Sequence, residues 1–552
     1  MIEIICHNNQ TKKGFPLGTT LSQIAIELNI QSKHPILGAF VNNKLKELTY
    51  NIYKPKTIEF IDISHPDGMR MYVRSLSFVL QKAASEILPG RKLKIEHSIS
   101  KGFFCEFDGM EKSLEIDTVF AIGNRMRELI SQNIPFKRDE ILSTEAIQLF
   151  EESGLTEKAL LFKSRPQLYT SVYKLQETID YFFGFLVPST GYLQVFDLVK
   201  YYDGMLLIVP KIETPDECED IVIQDKLFEV FQEYQNWGEI LNVGYIGNIN
   251  EAVKSKQISE LIKIAEALHE KKLAYIADAI YNRPKLPKLI LISGPSSSGK
   301  TTFANRLAIQ LKVAGLKPAT LSLDNYFVNR ELTPRDKNGE FDFESLDALD
   351  VQLLNKNLLQ LFAGEKIELP KFSFQTGQRF YDGDTLQIDD KTIMIAEGIH
   401  ALNPKLTADI SDDEKFRIYV SALTTISLDN HNRIPTTDTR LVRRIVRDYK
   451  YRGYSALETI NRWFSVRNGE EENIFPYQEN ADVMFNTAVH YETGVLKRYA
   501  EPLLHEVPQN NPAYREAVRL LKFFSYIMPI ADEEIPPTSI LREFLGGSSF
   551  KY

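Results

Sequence analysis

The chain has 552 residues, room for three or four domains of about 150 residues each. Its 43% hydrophobic and 25% charged residues are the balance of an ordinary globular protein, not of a disordered or fibrous one. A formal charge of -9 argues against a bulk nucleic-acid binder, although a local basic patch stays compatible with it.

Residues 1–63 read as short strands around one helix at Leu21–Leu28, capped by Thr19 or Thr20, and closed by a strand near Ile58–Ile63. A module of that size and content is expected to be a β-grasp. Residues 64–225 open with Met69, Tyr72, Val73, Leu76, Val79, Leu80 and Ala83 at helical spacing, stopped by Pro89-Gly90. Strands are expected at Lys92–His97 and Gly102–Phe107, giving an α+β domain. Residues 226–284 read as a helical connector ending in a proline-stiffened linker, Asn282–Lys288. A fresh α/β pattern covers 285–500, and 501–552 reads as a helical tail. Cys6, Cys105 and Cys218 have neither pairing nor metal-ligand spacing. With no leader-like amino terminus and no run of about 20 apolar residues, a cytoplasmic protein without a membrane span is expected.

The chemistry concentrates after Leu289–Ser293, an apolar run suited to a buried parallel strand. It leads into Gly294-Pro295-Ser296-Ser297-Ser298-Gly299-Lys300-Thr301, followed by a helix with Phe303, Leu307 and Leu311 on one face. This is the strand–GxxxxGK[ST]–helix unit, whose glycines let backbone amides wrap a phosphate. Lys300 is expected on the β and γ phosphates and the Thr301 hydroxyl on Mg²⁺. The expected ATP-binding set is therefore 294–301 with Thr302.

Two further strands, Ala319–Leu323 and Thr392–Ala396, end at Asp324 and Glu397. Ligands bind beyond the carboxyl ends of parallel strands, so both acids are expected beside the phosphates. One can accept a proton from an attacking hydroxyl and the other can hold Mg²⁺. The expected metal set is Thr301, Glu397 and Asp324. Thr439–Tyr449 is rich in arginine, with Arg440, Arg444 and Arg447 on one helical face, Arg443 flanking them and Arg452 following the helix. It reads as a lid over the polyphosphate, against the plainer reading of a basic exposed helix.

Together these stretches resemble the uridine kinase and phosphoribulokinase group of P-loop kinases over about 285–495. The carrying motifs are GPSSSGKT at 294–301, SLDNYF at 322–327, FDFESLDALD at 341–350, AEGIH at 396–400 and DTRLVRRIVRDYKYRG at 438–453. The resemblance implies transfer of the ATP γ-phosphate to a nucleoside 5′-hydroxyl, with uridine- or cytidine-like acceptors. Asp324, Lys300, Arg444 and Arg447 are then the catalytic set, and Arg447 and Arg452 reach the ATP phosphates. On the acceptor side the resemblance implies Asp324, Phe327, Phe341, Asp342, Phe372, Phe374, Arg379 and Arg444. The group's base-contacting Tyr and His positions hold Phe372 and Gly377 here, and Tyr454 replaces a further lid arginine. Losing polar base contacts weakens base discrimination, so base preference stays open.

Residues 1–63 are similar to a TGS domain. Residues 64–225 resemble the second, editing domain of threonyl-tRNA synthetase, carried by Tyr72–Leu80, Leu88–Gly90, Lys101–Phe104, Ile134–Arg138 and Val187–Gly191. The polar editing positions hold Arg74, Phe78, Phe182 and Leu186, so neither editing chemistry nor a metal is expected there. His65 and His97 read as ordinary structural or surface histidines. The expected fold is thus an α/β P-loop kinase with a parallel sheet, behind a β-grasp domain and an α+β synthetase-like domain. Expected ligands are ATP, Mg²⁺ and a nucleoside. RNA at the amino-terminal half, a homo-oligomer, another small hydroxylated acceptor, and an RNA- or ribosome-associated ATP switch stay open.

Overall fold

The computed structural model describes the chain except for residues 110–111, 336–338, 340, 374, 390 and 552. In the first unit, β1 (Ile2–Cys6) pairs antiparallel with β2 (Thr11–Phe15). It also pairs parallel with β5 (Lys56–Ile61). The hairpin of β3 (Gly38–Val41) and β4 (Lys44–Glu47) completes a mixed sheet in the order β2-β1-β5-β3-β4. Helix α1 (Leu21–Glu27) starts at a capping box in which Thr20 and Gln23 satisfy each other's backbone amides. Its Leu21 and Ile24 bury together with Ile2, Ile4 and Cys6 of β1.

The second unit begins with α2 (Pro66–Ile87), whose amino end is set by His65 accepting from the Asp67 amide and by Pro66. Then come β6 (Leu93–Ile99), β7 (Gly102–Phe107) and α3 (Ile116–Ser131). Next are β8 (Lys137–Leu142), α4 (Ser143–Glu152), α5 (Thr156–Lys163), β9 (Tyr169–Leu175) and β10 (Thr178–Asp180). The unit ends with β11 (Asp197–Tyr201) and β12 (Gly204–Ile208). Two antiparallel sheets result, β11-β12-β7-β6 and β8-β9-β10. Three helices follow: α6 (Asp225–Ile240), α7 (Ile246–Lys254) and α8 (Ile258–Tyr281).

The third unit is built on five parallel strands. They are β13 (Leu289–Ser293), β14 (Lys317–Ser322), β17 (Thr392–Glu397), β18 (Lys415–Ser421) and β21 (Val483–Asn486), in the order β14-β17-β13-β18-β21. All five residues of β13 are buried, which is why that strand reads as an unbroken apolar run. Between the strands lie α9 (Lys300–Val313), α10 (Val351–Phe362), and a small hairpin of β15 (Lys371–Ser373) and β16 (Gln378–Phe380). After β18 come the short hairpin β19 (Ser427–Asp429) and β20 (Asn432–Arg433), then α11 (Thr436–Arg452) and α12 (Ala456–Asn473). The chain finishes with α13 (Glu492–His505), α14 (Tyr514–Phe524) and α15 (Arg542–Leu545).

The units share cores. One apolar cluster runs from Phe150, Leu161 and Phe162 through Ile246 and Leu261 to Leu441, Ile445, Leu496, Leu520 and Leu541. A fully buried polar clasp joins the second and third units: the Lys158 amine lies 2.7 Å from Asp180 Oδ1 and 2.9 Å from Asp429 Oδ1. His431 Nδ1 lies 2.6 Å from the other Asp180 oxygen. The boundary drawn at 500/501 falls inside α13, and the one at 225/226 falls at the start of α6. Residues 501–552 do not hang free: α14 packs on α13 and α15 packs on α11.

Among the synthetase-like positions, Phe78 lies 5.1 Å from the Phe182 ring and 5.9 Å from the Phe136 ring, with Leu186 in the same buried cluster. Arg74 donates to the Phe185 carbonyl at 2.7 Å. Apolar packing fills the place. His97 is buried and stacked 3.8 Å from Phe231.

Candidate active site

The loop between β13 and α9 is shaped by two close approaches. A side chain at Gly294 would collide with the Val420 carbonyl, and one at Gly299 with Ile540 of the carboxyl-terminal segment. Gly299 has φ +83°, and Ser297 shares the left-handed region at +60°. Inside the loop the Ser297 and Ser298 hydroxyls are buried with no hydrogen-bond partner among the described residues. Lys300 Nζ is folded onto the Gly294 and Pro295 carbonyls at 2.9 and 3.2 Å. Orphaned hydroxyls and a lysine resting on carbonyls fit a polyphosphate, which would accept from all three.

Strand pairing brings the acids to this loop. Ser322, the last residue of β14, is in register with Glu397, the last of β17. Glu397 Oε1 accepts from Ser322 Oγ at 3.2 Å and lies 3.5 Å from Thr301 Oγ1. Asp324 follows in the 3₁₀ turn Leu323–Tyr326, one step beyond the strand that the sequence assigns to Ala319–Leu323. It is open to water on the cleft side and walled by protein elsewhere. Desolvation by those walls raises its pKa, opposed by Lys300, Arg452 and Arg447. Glu397 is pushed up to about 7 by burial and by the Asp324 charge. Two crowded carboxylates and a threonine hydroxyl are hard oxygen donors, and their mutual repulsion is relieved by a divalent cation, so the residues fit Mg²⁺.

The arginine helix requires a correction. Arg440 and Arg443 are 1% and 0% exposed and do not face the cleft. Arg440 is paired with Glu470 of α12 through both guanidinium nitrogens, one bond at 2.7 Å. Glu470 also accepts from the Ser296 amide at 3.0 Å. Arg443 donates to Glu492 at 2.9 Å and to the Thr487 hydroxyl at 3.1 Å. These two arginines brace the phosphate loop from behind, because their helix face is buried against α12 and α13. The plain reading of an exposed basic helix fails for the same reason. Arg452 is the last residue of α11 and does not follow it.

The remaining three arginines share one organiser. Buried Asp448 lies 3.2 Å from Arg444 Nε, 2.7 Å from Arg447 Nη2 and 3.7 Å from Arg452 Nε. Arg444 also donates to Ser296 Oγ at 2.7 Å. One carboxylate cannot neutralise three guanidiniums, so the group keeps net positive charge beside the loop. Burial and Arg447 lower the Arg452 pKa to about 10.

On the acceptor side, Phe327 is buried with its ring 5.5 Å from Phe372 of β15. Asp342 accepts from the Glu344 amide at 3.1 Å, and Phe341 packs under Arg335. Arg379 is engaged with Asp350 at 2.9 Å and with the Phe327 carbonyl at 3.1 Å, so its charge supports this wall and is not aimed at a ligand. Phe374 lies outside the described residues. Gly377 has φ +72° with Arg330 packed against it, so no side chain fits there without strain.

Four acids escape the sequence argument. Glu344 is pushed up to about 7 by burial and by Glu470. Glu470 and Asp448 anchor the arginines. Glu543 of α15 accepts from Thr302 Oγ1 at 2.6 Å and from its amide at 3.3 Å, clamping the first turn of α9. Asp448 is visible as the lone acid in a basic run. The other three carry no local signal.

Residues 289–493 match a model of the phosphoribulokinase / uridine kinase family. A uridine kinase of Staphylococcus aureus strain JH9 is 31% identical over 201 residues, covering 36% of this chain and 87% of that kinase. The chain belongs to the phosphoribulokinase / uridine kinase family. A phosphoribulokinase structure from Rhodobacter spheroides is 21% identical and covers 45% of this chain and 77% of that one, with a TM-score of 0.26. The amino-terminal half of this family member matches a second group. The threonine–tRNA ligase of Carboxydothermus hydrogenoformans is 30% identical over 201 residues, 36% of this chain. The match spans 31% of that ligase's own length. No helix among the described residues is long and apolar enough to cross a membrane.

Proposed function

We propose that the chain transfers the γ-phosphate of ATP to the 5′-hydroxyl of a nucleoside. The observation that carries this reading is Asp324 at the carboxyl end of β14, in the field of Lys300, Arg447 and Arg452 and one strand from Glu397. Asp324 takes the proton of the attacking hydroxyl, and its raised pKa suits that task. Lys300 moves from the loop carbonyls to the transferring phosphoryl group. Arg444, Arg447 and Arg452, oriented by Asp448, oppose the charge that develops there. Thr301, Glu397 and Asp324 would hold Mg²⁺, which would supply charge neutralisation to the polyphosphate.

The wall formed by Phe327 and Phe372 favours a flat base held by stacking, with weak discrimination between bases. Gly377 supports a second reading, because the position that would carry a base-contacting histidine has no room for one. The acceptor would then be another small hydroxylated metabolite. A nucleoside panel with ATP and Mg²⁺ separates the two. Turnover of a sugar phosphate with no nucleoside turned over overturns the first. Asp324→Asn should lower turnover by about 10²–10⁴-fold while ATP affinity stays within a few fold, since only the proton acceptor is lost. The strand order of the first unit supports a TGS-like β-grasp, and the phenylalanine-filled site supports a non-editing role for the second.

A further inference from the structure

A cavity of about 460 Å³ opens where β4, the segment after α5, and helices α13 and α14 meet, away from the phosphate loop. That volume is in the range of small-molecule sites, about 300–1,000 Å³. Lys44, Arg165 and Lys522 line it together with His505, and among the described residues no aspartate or glutamate does. In a chain of net charge -9 this is a marked local inversion.

None of the three cations has a carboxylate partner among the described residues. Each rests on an aromatic face instead. Lys44 Nζ lies 6.0 Å from the Tyr514 ring, Arg165 lies 4.2 Å from Tyr526, and Lys522 lies 5.2 Å from Phe183. Arg165 Nε is buried without a hydrogen-bond partner among the described residues. Aromatic faces hold a cation without neutralising it. Lys522 is an exposed residue on the cavity lining, yet the protein around its amine, with Arg74, Arg165 and Arg138 nearby, pushes the amine's pKa down to about 7, with Glu47 opposing.

We propose that this cavity is a second ligand site, taking a small polyphosphate or phosphate ester that carries three or more negative charges, such as a nucleoside di- or triphosphate. Lys44 and Arg165 match two of those charges, and Lys522, held near half-charge, takes up a proton as the anion arrives. Gln167 and Gln509 supply neutral donors on the lining, and the Tyr514 ring offers a face for a base. The site also has a mechanical link to catalysis. On α14, Arg519 precedes Lys522 by one turn and holds Asp438 through two bonds of 2.6 and 2.7 Å. Asp438 lies in the first turn of α11, the helix that carries Arg444, Arg447 and Arg452. An anion that shifts α14 would therefore bias the arginines at the kinase site.

Calorimetric titration of the full chain with inorganic tripolyphosphate tests the assignment. Two sites are expected. Lys300→Ala should weaken one, and Arg165→Gln or Lys522→Gln should weaken the other at least tenfold without touching the first. Acetylation of the Lys522 amine, read by mass spectrometry, should be blocked by tripolyphosphate in the wild type and not in Arg165→Gln. If ATP binds the second site more tightly than tripolyphosphate, and Tyr514→Ala removes the difference, the ligand is a nucleotide. Equal affinities make it the polyphosphate alone. Unchanged affinity and stoichiometry in both cavity variants overturns the proposal. So does protection of Lys522 by a single-stranded RNA oligonucleotide when neither tripolyphosphate nor ATP protects it.

Discussion

Glu470→Ala removes the keystone behind the phosphate loop. The carboxylate is 0% exposed and serves three groups at once, the Arg440 guanidinium, the Ser296 amide and, at 3.3 Å, the Arg467 guanidinium. Taking away one partner of a buried pair leaves an uncompensated charge and costs about 3–5 kcal/mol. A domain of this size loses about 2–4 °C of melting temperature per kcal/mol, so the kinase unit should melt about 6–20 °C lower. Trp463 reports the event locally, because Arg440 lies 5.5 Å from its ring. In a Trp237→Phe background its emission should shift to the red as water reaches the vacated place. The paired swap Arg440→Met with Glu470→Leu should recover most of the loss, since it removes both charges together. A melting temperature within about 2 °C of wild type for Glu470→Ala, or a paired swap as damaging as the single change, refutes the brace.

Acid sensitivity should be steep. Burial holds the His97 and His269 pKa values near 3 and those of His400 and His490 near 4. Each folded pKa lies below the unfolded value of about 6.5, so the unfolded chain binds more protons and stability falls as pH drops below about 6.5. At pH 5 each histidine should cost about 2 kcal/mol, and His97→Phe should flatten the melting-temperature profile between pH 7 and 5. Glu543→Ala should raise the KM for ATP several fold and lower the melting temperature. It breaks a charge-assisted bond to Thr302 worth about 1.5–3 kcal/mol, and kcat/KM with ATP is the readout. Gly377→His should lose about 1–2 kcal/mol in thermal unfolding from the left-handed backbone alone, and should gain no uridine selectivity.

What was readable in the sequence is what short-range chemistry encodes. Leu289–Ser293 had to be buried on both faces, Gly294 and Gly299 had to lack side chains, and Lys300 and Thr301 had to open a helix. Asp324 and Glu397 could be assigned to strand ends because a parallel sheet gathers those ends on one side. The arginine helix could be found by its charge, but its partition could not. Arg440 and Arg443 differ from Arg444 and Arg447 only in which neighbours cover them. Those neighbours, Glu470 and Glu492, lie 30 and 49 positions away along the chain. The same holds for Glu543 on Thr302 and for the cationic cavity, whose walls come from residues 44, 165 and 505–525. Local spacing determined the phosphate loop and its acids. Which charges are neutralised, and which stay free to meet a ligand, was decided only when distant segments packed together.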